Sequence, residues 1–131
     1  MFSTRGRYAI RVMIDMAEHQ DEEWIPLKDI AERQDISKKY LEIIVKDLVH
    51  AGMIEGISGR GGGYRLCRDP EDYTIREILE LMEGTLAPVS CLSSDRNTCP
   101  RASICKTLPM WSEFNELVQD FFESRTLRDL L

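Results

Sequence analysis

Residues 27–68 read LKDIAERQDISKKYLEIIVKDLVHAGMIEGISGRGGGYRLCR, and this stretch decides the fold. Pro26 suits the start of a helix, where its missing N–H would have no intrahelical partner and its fixed φ is already helical. Leu27 to Gln34 follows as a short helix with Leu27, Ile30 and Ala31 on an inward face. Asp35-Ile36 is a brief connection. Ser37 can cap the next helix with its hydroxyl. Leu41, Ile44, Val45 and Leu48 recur at the spacing of a packed stripe, in a helix reaching about Ala51. Gly52 can end it in a left-handed conformation. Two extended runs, Met53 to Ser58 and Tyr64 to Cys67, flank five residues of which four are glycines. Such a tip turns tightly and lets the backbone approach a partner closely. Helix, turn, helix and basic-tipped hairpin, in that order, make a winged helix-turn-helix, whose second helix enters the major groove of duplex DNA.

Upstream, Ser3 is the expected N-cap of a first helix in which Tyr8, Ile10, Met13, Ile14 and Ala17 recur at helical spacing. The polar run His19 to Glu23 reads as a loop. Downstream, Ile75, Ile78, Leu79 and Met82 share one face of a helix from Thr74 to Glu83. Residues 84–104 show no period, and a connection of that length inside a compact protein usually carries function. A long amphipathic helix then presents Trp111, Phe114, Leu117, Val118, Phe121 and Phe122 on one side. That stripe is heavy enough to form a seam with a second copy of the chain. The expected fold is therefore mainly α with a small β-wing: a winged helix-turn-helix domain at 1–83, a cysteine-bearing sensor loop at 84–105, and a dimerisation helix and tail at 106–131.

The formal net charge is -6, but it is unevenly spread: residues 1–68 hold 11 Lys+Arg and 11 Asp+Glu, residues 69–131 hold 6 and 12. The acidity belongs to the second half, and Arg60, Arg65 and Arg68 lie in a stretch without acids. A local basic tip can meet phosphates on an acidic protein. On the helix from Ser37, the residues Ser37, Lys38, Lys39, Tyr40, Glu42 and Lys46 are the candidate DNA contacts. Lysines suit phosphates and guanine edges, and Glu42 can accept from a cytosine amino group. At the wing, Arg60, Gly61 and Gly62 join them. A nucleotide-binding reading of the glycine run fails, because no Gly-Lys-Ser/Thr follows and the next residues are strand-like. Tyr64 reads as a packing residue at the wing base.

Of four cysteines, Cys91, Cys99 and Cys105 share the unpatterned loop, with seven and then five residues between them. The spacing is not that of a zinc ribbon, but it offers three thiolates to one centre, as iron–sulfur clusters use. Reduced loop thiols without metal, or a reversible disulfide switch, would give the same spacing. Cys67, alone on a strand, reads as a small buried hydrophobe. His19 and His50 sit at helix ends and are not placed as ligands. No catalytic arrangement stands out, so an enzyme is not expected. There is no run of about 18 apolar residues, and Asp15 and Glu18 interrupt any leader-like region, which implies a cytoplasmic protein with no membrane partner.

The motifs Thr4-Arg-Gly-Arg-Tyr-Ala9, Leu27-Lys-Asp-Ile-Ala31, Ile36-Ser-Lys-Lys-Tyr-Leu-Glu42, Gly59-Arg-Gly-Gly-Gly-Tyr64 and Thr126-Leu-Arg-Asp-Leu130, together with the cysteine loop, resemble the Rrf family of bacterial winged-helix regulators, of IscR, NsrR and CymR type. The resemblance spans nearly the whole chain. It implies a homodimeric transcriptional regulator, read as a repressor, on double-stranded DNA with a near-palindromic operator. It also implies pairing through the C-terminal helix at Trp111, Phe114, Leu117, Val118 and Phe121. Cys91, Cys99 and Cys105 fall on the positions that hold an iron–sulfur cluster (2Fe-2S or 4Fe-4S) in cluster-bearing members, which report iron–sulfur, iron, nitric oxide or redox status. The other branch lacks the triplet and governs cysteine metabolism through a partner enzyme. Here no histidine follows Cys105 and no aspartate occupies Gly6-Arg7-Tyr8, which leaves a fourth ligand open. Ser58 stands where an arginine often precedes the first wing glycine.

Overall fold

The computed structural model describes residues 2–94 and 96–131, and in them five helices and one two-stranded sheet share an apolar core. Helix α1 (Thr4–Glu18) starts where the Ser3 hydroxyl accepts from the Gly6 N–H at 3.0 Å. Its buried face is Ala9, Val12, Met13, Met16 and Ala17. Tyr8, Ile10 and Ile14 lie half-buried at the margins, so the inner stripe is rotated from the expected one. The reason is position: α1 is the central helix, touched by three other helices and by the second strand.

Helix α2 (Leu27–Gln34) and helix α3 (Lys38–His50) fall close to the expected bounds. Ile30 is fully buried, with Leu27 and Ala31 half-buried beside it. The turn between them depends on Asp35, a non-glycine residue held left-handed at φ 52°. The Ser37 hydroxyl accepts from the Tyr40 N–H at 3.2 Å and caps α3. Leu41, Ile44, Val45 and Leu48 are buried, as the stripe requires. Asp15, 2% exposed, fixes α1 to α2: Arg33 donates to both its carboxylate oxygens at 3.0 and 2.8 Å, and the Gln34 amide donates at 3.0 Å. A carboxylate this deep is tolerable only because all these donors converge on it.

Strands β1 (Ile54–Ile57) and β2 (Gly63–Leu66) pair antiparallel, with Glu55 opposite Arg65 and Gly56 opposite Tyr64. The tip needs glycine at Gly61, where φ is 78°. At the wing base, Ile25 and Tyr64 exchange backbone hydrogen bonds of 2.8 and 2.9 Å. This brings the Ile25 carbonyl so close to Gly63 that a Cβ there would lie 2.3 Å from its oxygen. Tyr64 packs over Gly56, as a wing-base residue should.

Tyr73 closes the wing. It is fully buried; its hydroxyl donates to the Met53 carbonyl at 2.6 Å and accepts from the N–H groups of Cys67 and Arg68 at 3.0 and 3.1 Å. Cys67 itself is exposed, not buried as expected. Only its backbone is engaged, because β2 has ended and its side chain turns outward. Its thiol is held above the ordinary value by local desolvation and by the Glu55 carboxylate.

Helix α4 (Ile75–Glu83) is capped by Thr74 and packs on α1 and helix α5 (Leu108–Glu123). The tail after α5 returns to the winged unit. Leu127 is fully buried, its N–H donates to the Tyr73 carbonyl at 2.9 Å, the Ile75 N–H donates to the Arg125 carbonyl at 2.9 Å, and Arg128 pairs with Glu71 at 3.0 Å. A capping box between Thr126 and Asp129 holds the final turn. No helix among the described residues is long and apolar enough to cross a membrane.

Candidate nucleic-acid interface

Lys38, Lys39, Glu42 and Lys46 project from α3 away from its buried stripe, and all are exposed, as is Ser37. Tyr40 is half-buried: its ring meets Tyr8 edge-on at 5.7 Å, and Arg11 covers that Tyr8 ring at 5.0 Å. Tyr40 therefore joins α3 to α1 and leaves only part of its ring for a ligand. The wing runs alongside. Between it and α3 lies an open groove of about 420 Å³ lined by Glu42, Lys46, Val49, Ile57, Ser58 and Tyr64. Arg60 and Gly61 are exposed at the tip and Gly62 half-exposed. The structure thus brings the helix residues and the hairpin to one side of the molecule.

Charge pairing divides the cations near this face. Among the described residues, Lys38, Lys39, Lys46 and Arg60 have no carboxylate partner, whereas Arg5, Arg33, Arg65, Arg68, Arg76 and Arg128 each do. Arg65 pairs with Glu55 at 2.6 Å and lies over the Trp24 ring at 4.1 Å. Arg68 pairs with Glu77 at 2.8 Å and lies over Tyr73 at 4.7 Å. The sequence grouped Arg65 and Arg68 with Arg60 as one acid-free basic stretch. In the fold, carboxylates from β1 and α4 neutralise the first two, and Arg60 alone remains available to a phosphate. Ile43, read from the sequence as lying off the buried stripe, is exposed, and two further exposed apolar residues, Val49 and Ile57, escaped the sequence reading of this face. Their distance from the buried stripe was visible, but their place beside the wing was not.

On the opposite element, α5 carries the aromatic stripe with no residue fully buried. Phe114, Leu117 and Phe121 are 38%, 63% and 48% exposed. Trp111 is half-buried, and Val118 and Phe122 pack toward the core. With Phe2, whose ring meets Phe122 edge-on at 5.5 Å, the stripe lines a wholly apolar groove of about 280 Å³.

Between the winged unit and α5, all three loop cysteines are free and half-exposed. Cys91 sits in a single helical turn, Ser90–Leu92. The Cys99 N–H donates to the Asn97 side chain at 2.9 Å. The Cys105 sulfur lies 3.3 Å from the Thr107 hydroxyl, and hydrogen bonding there holds its thiol below the ordinary value. Among the described residues no three His, Cys, Asp or Glu side chains converge on one point.

Residues 2–131 match the model of the family described as Rrf2, iron-dependent transcriptional regulator. The protein rrf2 of Nitratidesulfovibrio vulgaris is 37% identical over 98% of this chain and 85% of its own length. The HTH-type transcriptional regulator IscR of Vibrio cholerae is 33% identical over 98% and 73%. Among solved structures, CymR, the global cysteine regulator of B. subtilis, superposes with a TM-score of 0.80 at 32% identity, covering 99% of this chain and 95% of that one. The T. potens IscR structure gives 0.77 at 31%, covering 99% and 85%. These relatives are regulators, not enzymes, and they share the helix-turn-helix and wing assembled above. The chain belongs to the Rrf2 family of winged-helix, DNA-binding transcriptional regulators.

Proposed function

We propose that the chain acts as a homodimeric repressor on a near-palindromic operator, with Cys91, Cys99 and Cys105 holding an iron–sulfur cluster that reports iron–sulfur, iron, nitric oxide or redox status. One observation carries this reading: three free thiols lie in one segment between the winged unit and α5. The donor set fits in kind, since thiolates are the usual ligands of such clusters, all three reach solvent and Cys105 is already acidified. The thiols are apart in this conformation, so holding a cluster requires the loop to gather them. When bound, the cluster would supply iron-linked redox chemistry.

The chain's own part is mechanical. Drawing the thiols together would order the segment between α4 and α5, two helices that pack on each other. In a dimer paired along Trp111, Phe114, Leu117, Val118 and Phe121, ordering that segment, or releasing it, would change how the winged units sit and with them the spacing of the two α3 helices. They must meet successive major grooves about 34 Å apart, so a displacement of a few Å lowers affinity. The test is anaerobic purification followed by operator binding with and without reconstitution. A brown, iron- and sulfide-containing protein whose colour is lost in Cys99→Ala, and whose affinity changes on loading, supports the reading. Colourless, iron-free protein after reconstitution rejects it.

A second reading is a cluster-free regulator of cysteine or sulfur metabolism, working through thiol oxidation or a partner protein. The similarity to CymR favours it. Under that reading, colourless protein would still change its operator affinity on mild oxidation or on adding the partner.

A further inference from the structure

Ile43 is out of place by the ordinary rules of a solvated helix. It is 48% exposed on α3, on the side opposite the buried stripe of Leu41, Ile44, Val45 and Leu48. With 3.6 residues per turn, Lys39 lies one turn before it and Lys46 one turn after it on the same ridge. Both lysines are exposed and have no carboxylate partner among the described residues. A β-branched apolar residue between two lysines loses helix propensity and gains no burial within the chain. A single exposed apolar residue needs no special explanation elsewhere. This one stands on the outward ridge of α3, the side that a recognition helix turns toward the floor of the major groove.

We propose that Ile43 is a specificity-determining residue that reads the 5-methyl group of a thymine in each operator half-site, with Lys39 and Lys46 holding the flanking phosphates or guanine edges. The proposal rests on the reading of α3 as the recognition helix. The chemistry is that of the major groove: thymine alone among the four bases presents a methyl group there, and apolar side chains recognise it by contact. The branched side chain of Ile43 has few rotamers, so its methyl groups are already positioned before binding. Glu42, its neighbour in sequence, points toward the wing groove and is free to take a base amino group on the next step.

The test uses a duplex library with a randomised core, from which the full-length protein selects its preferred site. The enriched duplex is resynthesised with deoxyuridine replacing thymidine one position at a time, which removes the methyl and leaves the pairing edge unchanged. One methyl group removed from contact should weaken binding about fourfold per half-site, or about fifteenfold for a symmetric pair. In Ile43→Ala that penalty should vanish, while its penalties at all other positions match the parent protein. Alanine is the best helix former, and circular dichroism confirms that the variant folds. The proposal is overturned by a selected half-site without thymine, by deoxyuridine being silent at every position, or by the same penalty persisting in Ile43→Ala. Lys39→Ala and Lys46→Ala separate the failures. If both leave affinity unchanged, the recognition-helix reading falls and the proposal with it. If they weaken binding while deoxyuridine stays silent, only the methyl contact falls.

Discussion

Replacing Tyr73 by phenylalanine removes one oxygen atom and three hydrogen bonds. The ring stays in its pocket, so no cavity opens and the lost hydroxyl is isolated. The Met53 carbonyl, reached at 2.6 Å in a buried setting, loses its donor; an unsatisfied buried acceptor costs about 1–3 kcal/mol. The N–H groups of Cys67 and Arg68 are only part-buried and recover water in part, which adds about 1 kcal/mol. The total is about 2–4 kcal/mol, a large share of a typical domain's stability. At this length it should lower Tm by about 6–16 °C in a calorimetric scan. The pH dependence provides a second reading. Burial holds the Tyr73 phenol above its ordinary value, so the folded state keeps that proton more tightly than the unfolded chain. Its contribution is fully present below about pH 10, where an unfolded tyrosine titrates, and is lost as pH rises through the folded value. Denaturant midpoints should therefore fall on the alkaline side in the parent and fall less steeply in Tyr73→Phe. A Tm within 2 °C of the parent, with alkaline limbs that coincide, would refute the hydrogen-bond accounting.

Three other perturbations follow from the same packing. Asp15→Asn should destabilise by about 2–4 kcal/mol, less than a fully buried pair because Arg33 can turn partly toward water; a urea midpoint reads it. Asp35→Gly should raise stability by up to about 1 kcal/mol, since glycine accepts the left-handed φ of 52° without the Cβ penalty; an unchanged or lower Tm contradicts this. Leu117→Glu, at a position 63% exposed in one copy of the chain, should leave the fold intact by circular dichroism and convert a dimer to a monomer by sedimentation; a persisting dimer places the seam elsewhere.

The helix-turn-helix and wing were legible because their signals are local. Ser37 caps within one turn, the stripe from Leu41 to Leu48 has one period, and the hairpin tip is nearly all glycine. What escaped the sequence depends on contacts distant in the chain. Asp15 reads as a solvated acid until Arg33 and Gln34 arrive from α2. Arg65 and Arg68 read as free cations until Glu55 and Glu77 close on them. Cys67 follows an apolar strand and was expected inside, but strand alternation stops at Leu66, and nothing local marks that end. In the loop, spacing could nominate Cys91, Cys99 and Cys105, but a segment without period carries no rule for where its side chains meet.

The buried Leu127 gives the C-terminal helix two anchors where a simple arm would have one. It packs on α4, and its end is plugged between α1 and the turn around Tyr73. A beam held in two places cannot swing freely; it can only tilt together with what it is bolted to. If the chain pairs along this helix as proposed, a twist imposed on the seam would reach the base of the wing through the Leu127–Tyr73 joint as well as through α4, without waiting for a flexible hinge.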